Sequence, residues 1–124
     1  MRIEQDIKLD FDDVLIKPKR SETGSRADVD LIRTFQTPNS EVELMGVPII
    51  AANMDTVGTF AMCETLSKLQ VFTCLHKFYK EEQLIQFFNE NKSSDYAFYT
   101  LGITDPDIEK LKNVSKSAKI GKIC

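Results

Sequence analysis

The sequence predicts an α/β fold, the N-terminal half of a (β/α)8 TIM barrel preceded by a β-hairpin arm. Three observations lead there. Near-continuous apolar runs recur at Val47–Ala52, Val71–Leu75, Tyr96–Leu101 and Lys119–Cys124. Helical patterns separate them, and successive runs start roughly 24 residues apart, the spacing of right-handed βαβ units. Unbroken apolar runs of this length suit strands buried on both faces of a parallel sheet. Residues 1–45 read as the arm and residues 46–124 as the first half of the barrel.

The arm comes first. Asp13-Val14-Leu15-Ile16 ends at Lys17-Pro18. Val29, Leu31 and Arg33-Thr34-Phe35 read as a strand, followed by the turn residues Pro38-Asn39-Ser40. Val42 and Leu44 alternate with Glu41 and Glu43 as a second, half-exposed strand. After Gly46 the first barrel strand begins, with Pro48 expected near its start because proline cannot donate from mid-strand. The first helix, starting near Gly58, carries Phe60, Cys63, Leu66 and Leu69. The second sets Leu84, Ile85, Phe87 and Phe88 against Glu81, Glu82 and Gln86. The third opens with Thr104 as a possible cap, Pro106 in the first turn, and Asp105 and Asp107 at the positive end of the helix dipole.

Four strands alternating with three helices fit a small open sheet or half a barrel, since a full barrel needs about 250 residues. The half barrel is preferred. The chain stops inside a strand with no covering helix, and a β-rich arm precedes the first barrel strand. Such a half barrel has two open strand edges and should aggregate or fold poorly alone.

Bulk properties narrow the class. The 124 residues are 42% hydrophobic and 28% charged, with a net charge of -3. That gives no basic footprint for nucleic acid or an anionic membrane. Cys63, Cys74 and Cys124 are odd in number and lack CxxC spacing or a partner histidine, which argues against disulfides and zinc. The start has no signal-peptide core and no run is long enough to span a membrane, so a cytoplasmic protein is expected.

Functional residues of parallel α/β sheets gather past the C-terminal strand ends. That rule nominates Asn53-Met54-Asp55-Thr56, His76-Lys77 and Gly102-Ile103-Thr104. Asn53 and Asp55 offer polar groups, or equally caps for the helix that follows; Met54 offers a polarizable surface for a flat base. Lys77 is a cation suited to phosphate or carboxamide, and a plain solvated lysine is the competing reading. In the arm, Lys17, Lys19, Arg20, Arg26 and Arg33 interleave with Ser21, Thr23, Gly24 and Ser25, either an anion grip or a solvated turn. No GxGxxG, Walker, HExxH or nucleophile-elbow motif occurs. Cys63 in mid-helix and Cys74 in mid-strand are not placed as nucleophiles. The residues alone do not name a reaction.

Several segments, in order, resemble one family. They are Leu9-Asp10-Phe11-Asp12-Asp13-Val14-Leu15-Ile16-Lys17-Pro18-Lys19-Arg20-Ser21, Ser25-Arg26-Ala27-Asp28-Val29-Asp30-Leu31, the run from Gly46 to Phe60, and His76-Lys77-Phe78-Tyr79. The chain resembles the N-terminal portion of GMP reductases, within the IMP dehydrogenase/GMP reductase family. The wording Ala51-Ala52-Asn53-Met54-Asp55-Thr56-Val57-Gly58-Thr59-Phe60 looks like the reductase form. The second helix passes directly into the third strand, with no room for the paired insertion usual in IMP dehydrogenases. Phe78 departs from the histidine more usual at that position.

The resemblance implies an NADPH-dependent oxidoreductase that converts GMP to IMP and ammonia in purine salvage. A cysteine thiolate attacks the purine, ammonia leaves, and hydride reduces the covalent intermediate. That cysteine maps downstream of the fourth strand, so no catalytic residue is expected in this chain, which looks truncated and inactive alone. Carried over residue by residue, Ser25, Arg26 and Lys77 are expected to bind NADPH. Asn53, Met54 and Asp55 would line the nucleotide side. No metal is implied, and the family is typically homotetrameric. An IMP dehydrogenase-like enzyme is one alternative. A non-catalytic product that binds full-length subunits is another.

Overall fold

The computed structural model describes residues 6–37 and 43–124. The expected turn Pro38-Asn39-Ser40, with Glu41 and Val42 of the second expected strand, lies outside the described residues, as does the start of the chain. The chain divides into two compact units, Met1–Asp30 and Leu31–Cys124.

The first unit contains two single-turn 3-10 helices, Phe11–Asp13 and Arg26–Asp28. Each closes on itself. Asp10 caps the first, where Asp13 accepts from the Asp10 N–H (3.0 Å). In the second, the Ser25 hydroxyl accepts from the Ala27 N–H (3.2 Å) and Asp28 accepts from the Ser25 N–H (3.0 Å). These are capping boxes built from short acceptors flanking a turn. Val14–Ile16 belongs to no strand, and Leu15 and Ile16 are exposed.

The second unit holds a four-stranded sheet in the order β1 (Arg33–Gln36), β2 (Glu43–Ala51), β3 (Val71–Cys74), β4 (Ala97–Phe98). β1 and β2 are antiparallel, pairing Arg33 with Gly46 and Gln36 with Glu43. This is the expected hairpin, although β1 starts at Arg33 and omits Val29 and Leu31. β2, β3 and β4 are parallel. Helices α1 (Phe60–Ser67), α2 (Glu81–Glu90) and α3 (Asp105–Ser117) follow β2, β3 and β4 in turn. Strand and helix thus alternate as in the first part of an α/β barrel.

Three elements differ from expectation. Leu44 and the run Val47–Ala52 read as parts of separate strands, yet one nine-residue strand, Glu43–Ala51, joins them and stops one residue short of Ala52. Pro48 therefore sits inside a strand. It is tolerated because the ladder skips it: Val47 pairs with Val71 and the next pair is Ile50 with Phe72. The resulting bulge removes the demand for a donor that proline lacks. The third expected strand shrinks to Ala97–Phe98, because Asn91 caps a 3-10 helix at Lys92–Tyr96 that uses up the preceding residues. The fourth, Lys119–Cys124, contributes a parallel bridge between Tyr99 and Ile123. Around it, Tyr99 N–H donates to Lys122 (2.9 Å) and Cys124 N–H donates to Tyr99 (2.8 Å).

The core lies between sheet and helices. Cys63, Leu75, Leu84, Phe87, Phe88, Ala97, Tyr99, Val114 and Ala118 form one buried cluster. It contains the apolar face read for α2, and α1 contributes Cys63. At this size each buried large side chain is worth about 1.5–3 kcal/mol. Elsewhere in the unit, Phe72 meets Phe35, Tyr96 and Phe98 at ring-centroid distances of 6.2, 5.5 and 5.8 Å. Gly46 allows this packing: a Cβ there would lie 2.6 Å from the Gln70 carbonyl oxygen and 2.9 Å from the Phe72 ring.

Candidate functional site

The C-terminal ends of β2 and β3 carry the loops nominated from the sequence. After Ala51, the chain turns through Asn53–Gly58. Val57 and Gly58 both donate to the Met54 carbonyl, at 3.0 and 2.7 Å. The helix that follows starts at Phe60, and Thr59 is its cap, its hydroxyl accepting from the Met62 N–H (3.1 Å). Asn53 and Asp55 therefore do not cap it. Asn53, Met54 and Asp55 are exposed, and the competing structural explanation of the two polar ones is gone.

Gly58 joins this turn to the next loop. It is buried, and a Cβ there would overlap the Cys74 carbonyl oxygen and lie 2.9 Å from the Ala52 carbonyl oxygen. Its own carbonyl accepts from the His76 N–H (2.8 Å). The Asn53–Asp55 turn and the His76–Lys77 turn are thus fastened together at one end of the parallel sheet.

The second turn is stiffened by its own aromatic residues. Tyr79 stacks on His76 (4.0 Å, 16°) and on Phe60 (3.7 Å, 10°), and Phe60 stacks on Phe87 (4.3 Å, 10°). The Tyr79 hydroxyl accepts from the Phe60 N–H (3.0 Å), satisfying one of the donors that a helix start leaves open. The Phe78 N–H donates to His76 Nδ1 (3.3 Å). Lys77 is exposed, with Nζ 5.9 Å from the Phe78 ring centroid.

The third nominated loop meets α3. Thr104 is the N-cap of this helix, as expected, in a capping box with Asp107: its hydroxyl donates to Asp107 (2.5 Å), and Asp107 also takes the Thr104 N–H (3.4 Å). The Thr104 hydroxyl, with lesser contributions from Thr104 N–H, Lys77 and Lys110, holds the Asp107 carboxyl below its ordinary range. Lys110, one turn on, donates to the carbonyls of Lys77 (3.0 Å) and Tyr79. Gly58, Tyr79 and Lys110 support the site but were not singled out from the sequence. Lys110 gave no signal, because it acts across more than thirty residues of chain.

Neither buried thiol is poised to attack anything. Burial pushes Cys63 up to about 11 and Cys74 to about 12. Both remain protonated thiols at neutral pH. Among the described residues, no group of three or more His, Cys, Asp or Glu side chains could hold a metal ion. No helix of the described residues is long and apolar enough to cross a membrane.

Ser25 and Arg26 belong to the first unit. Ser25 spends its hydroxyl and its N–H on the local capping box. The Arg26 guanidinium is exposed and has no partner among the described residues.

Residues 8–121 match the family model described as the IMP dehydrogenase / GMP reductase domain. The chain belongs to the IMP dehydrogenase/GMP reductase family. Among curated members, it is 48% identical over 116 residues to the GMP reductase of Onchocerca volvulus, covering 90% of this chain and 32% of that protein. It is 49% identical over 117 residues to the GMP reductase of Shigella boydii, covering 92% of this chain and 33% of that protein. The solved inosine 5' monophosphate dehydrogenase from Legionella pneumophila superposes with a TM-score of 0.67 at 27% identity, over 92% of this chain and 33% of that one. The chain spans about a third of the length of these family members.

Proposed function

We propose that this segment serves a GMP reductase, an enzyme that uses NADPH to convert GMP to IMP and ammonia in purine salvage. The observation that carries the reading is the fastening of two loops at one sheet end. One presents Asn53, Met54 and Asp55, the other Lys77, and Gly58 locks them together. Relatives at 43–49% identity named GMP reductase favour this substrate over that of the more distant dehydrogenase.

Within that reading, Asn53, Met54 and Asp55 take the nucleotide and Lys77 takes the cofactor side. The available donors fit NADPH. Arg26 keeps a free guanidinium fork for phosphate, Ser25 starts the turn that presents it, and Lys77 brings an exposed ammonium. NADPH supplies hydride when bound. This chain's residues bind and orient; the family resemblance puts the nucleophilic cysteine downstream of the fourth strand, outside them. We accordingly place residues 1–45 as an arm with a β-hairpin and residues 46–124 as the first half of the barrel. The 124 residues by themselves would be inactive, and the working enzyme would be a cytoplasmic homotetramer with no nucleic-acid or membrane partner.

The test is oxidation of NADPH by a full-length protein carrying this segment. Absorbance at the reduced-nicotinamide band should fall only when GMP is added. Reduction of NAD by IMP, with no GMP-dependent NADPH oxidation, would replace this reading with the dehydrogenase.

A further inference from the structure

We infer that Lys110 is a positioning residue for Lys77, acting by holding the carbonyls on either side of Phe78. The inference rests on the reading of Lys77 as a cofactor contact. The turn that carries Lys77 is gripped from two directions. On one side, the Tyr79 ring lies between His76 and Phe60, and its hydroxyl ties it to the first N–H of α1. On the other, the Lys110 ammonium reaches from α3 to accept no proton but donate two, to the Lys77 and Tyr79 carbonyl oxygens.

The two grips do different things. Ring stacking fixes Tyr79 and His76, which bracket the turn; the Lys77–Phe78 peptide between them is held at its N–H by His76 Nδ1 (3.3 Å), and its carbonyl end would tilt without a second tie. Phe78 is 68% exposed and packs too little to stop it. A cation bonded to that peptide's own carbonyl, on Lys77, and to the Tyr79 carbonyl beyond it sets its orientation, and with it the direction in which the Lys77 side chain leaves the backbone. Lysine suits the task, since its three donors radiate from one atom. Asp107 completes the arrangement. It lies within the electrostatic reach of both Lys77 and Lys110, so two ammonium groups share one nearby carboxylate, which Thr104 anchors at the start of α3.

A side chain held in this way should matter for one ligand and not for the fold. In a full-length protein carrying this segment, Lys110→Met should weaken NADPH binding about tenfold, the effect of losing charge-assisted hydrogen bonds. Binding is read by fluorescence titration without GMP. The KM for GMP and the melting temperature should stay near their original values. Lys110→Arg should restore most of the affinity, and Lys110→Gln serves if the methionine variant folds poorly.

The decisive readout is a double-mutant cycle. Lys77→Met should itself weaken NADPH binding, and adding Lys110→Gln to it should cost little more, because the thing positioned has gone. If the two losses add fully, or if Lys110 variants lose GMP and NADPH affinity together with thermal stability, Lys110 is only structural and the inference is overturned. If Lys77→Met leaves NADPH binding unchanged, the cofactor reading of Lys77 fails instead. The two failures are therefore distinguishable.

Discussion

Replacing Gly58 by alanine should be the most damaging single-methyl addition in the second unit. The new Cβ would overlap the Cys74 carbonyl oxygen and sit 2.9 Å from the Ala52 carbonyl oxygen and 3.1 Å from Asn53 Cα. All three obstacles are backbone atoms at the ends of β2 and β3, so no side chain can rotate away. Relief requires moving the turn, and that puts two hydrogen bonds at risk: Gly58 N–H to Met54 (2.7 Å) and His76 N–H to Gly58 (2.8 Å). Overpacking costs about 1–3 kcal/mol and each hydrogen bond about 1 kcal/mol, giving a loss of ~3–5 kcal/mol. Against a typical stability of about 5–15 kcal/mol this is severe. With a urea m-value of about 2 kcal/mol/M, the midpoint should fall by roughly 2 M. Unfolding of the full-length protein is followed by far-UV circular dichroism, since the segment has no tryptophan. Gly121→Ala is the control; its Cβ meets nothing within 4 Å, and it should stay within about 0.5 kcal/mol of the original. A Gly58→Ala protein as stable as that control would refute the packing argument, and with it the claim that Gly58 fastens the two loops.

Two further outcomes concern titration. At pH 8, a thiol reagent should label exposed Cys124 well before Cys63 and Cys74, which burial keeps protonated up to about 11 and about 12. Peptide mapping after partial alkylation checks this, and early modification of Cys63 would contradict it. The same shifts favour the folded state below the ordinary thiol range and lose that contribution as pH rises from about 9 toward those values. Asp107 has the opposite sign. Its folded-state value lies below the ordinary carboxylate range, so its contribution is complete above about pH 4 and is lost as pH falls through the lowered value. Asp107→Asn should therefore flatten the stability profile between about pH 5 and 2, measured by urea midpoints. An unchanged slope would show that the Thr104 contact does not matter to folding.

The sequence was informative where local chemistry decides the outcome. Apolar runs located β2 and β3, and Leu84, Phe87 and Phe88 gave the buried face of α2. The strand-end rule picked out the Asn53 and His76 loops, which the structure ties together through Gly58. It was less informative where distant partners decide. Thr104 caps α3 as its type suggests, but the contact that Asp107 makes with its hydroxyl is not legible from type alone. Pro48 looked like a strand boundary, but a bulge absorbed it. The run Tyr96–Leu101 reads as a full strand, yet only Ala97 and Phe98 align with Thr73 and Cys74. Lys110 sits among polar helix residues with nothing in its neighbourhood to mark it, since both its acceptors are backbone carbonyls more than thirty positions earlier.

The bulge at Pro48 lets β2 take up surplus chain without disturbing the pairing beyond it. Between paired positions β2 spends three steps where β3 spends one, from Val47 to Ile50 against Val71 to Phe72. The surplus is two residues, an even number, so the inward and outward sides of the strand are not exchanged. At about 3.3 Å per residue, the ~6–7 Å of surplus contour is taken up in the bulge, because Ile50 and Ala51 still pair with Phe72 and Thr73. A strand that had lost both Pro48 and Ile49 would keep every remaining side chain on its present face and leave Asn53–Asp55 at the height that the Ala51–Thr73 pair sets. Losing only one of the two would turn Ile50 and Ala51 to opposite sides. The length of chain ahead of that loop can thus change in two-residue increments without moving the loop or exchanging the faces of the strand.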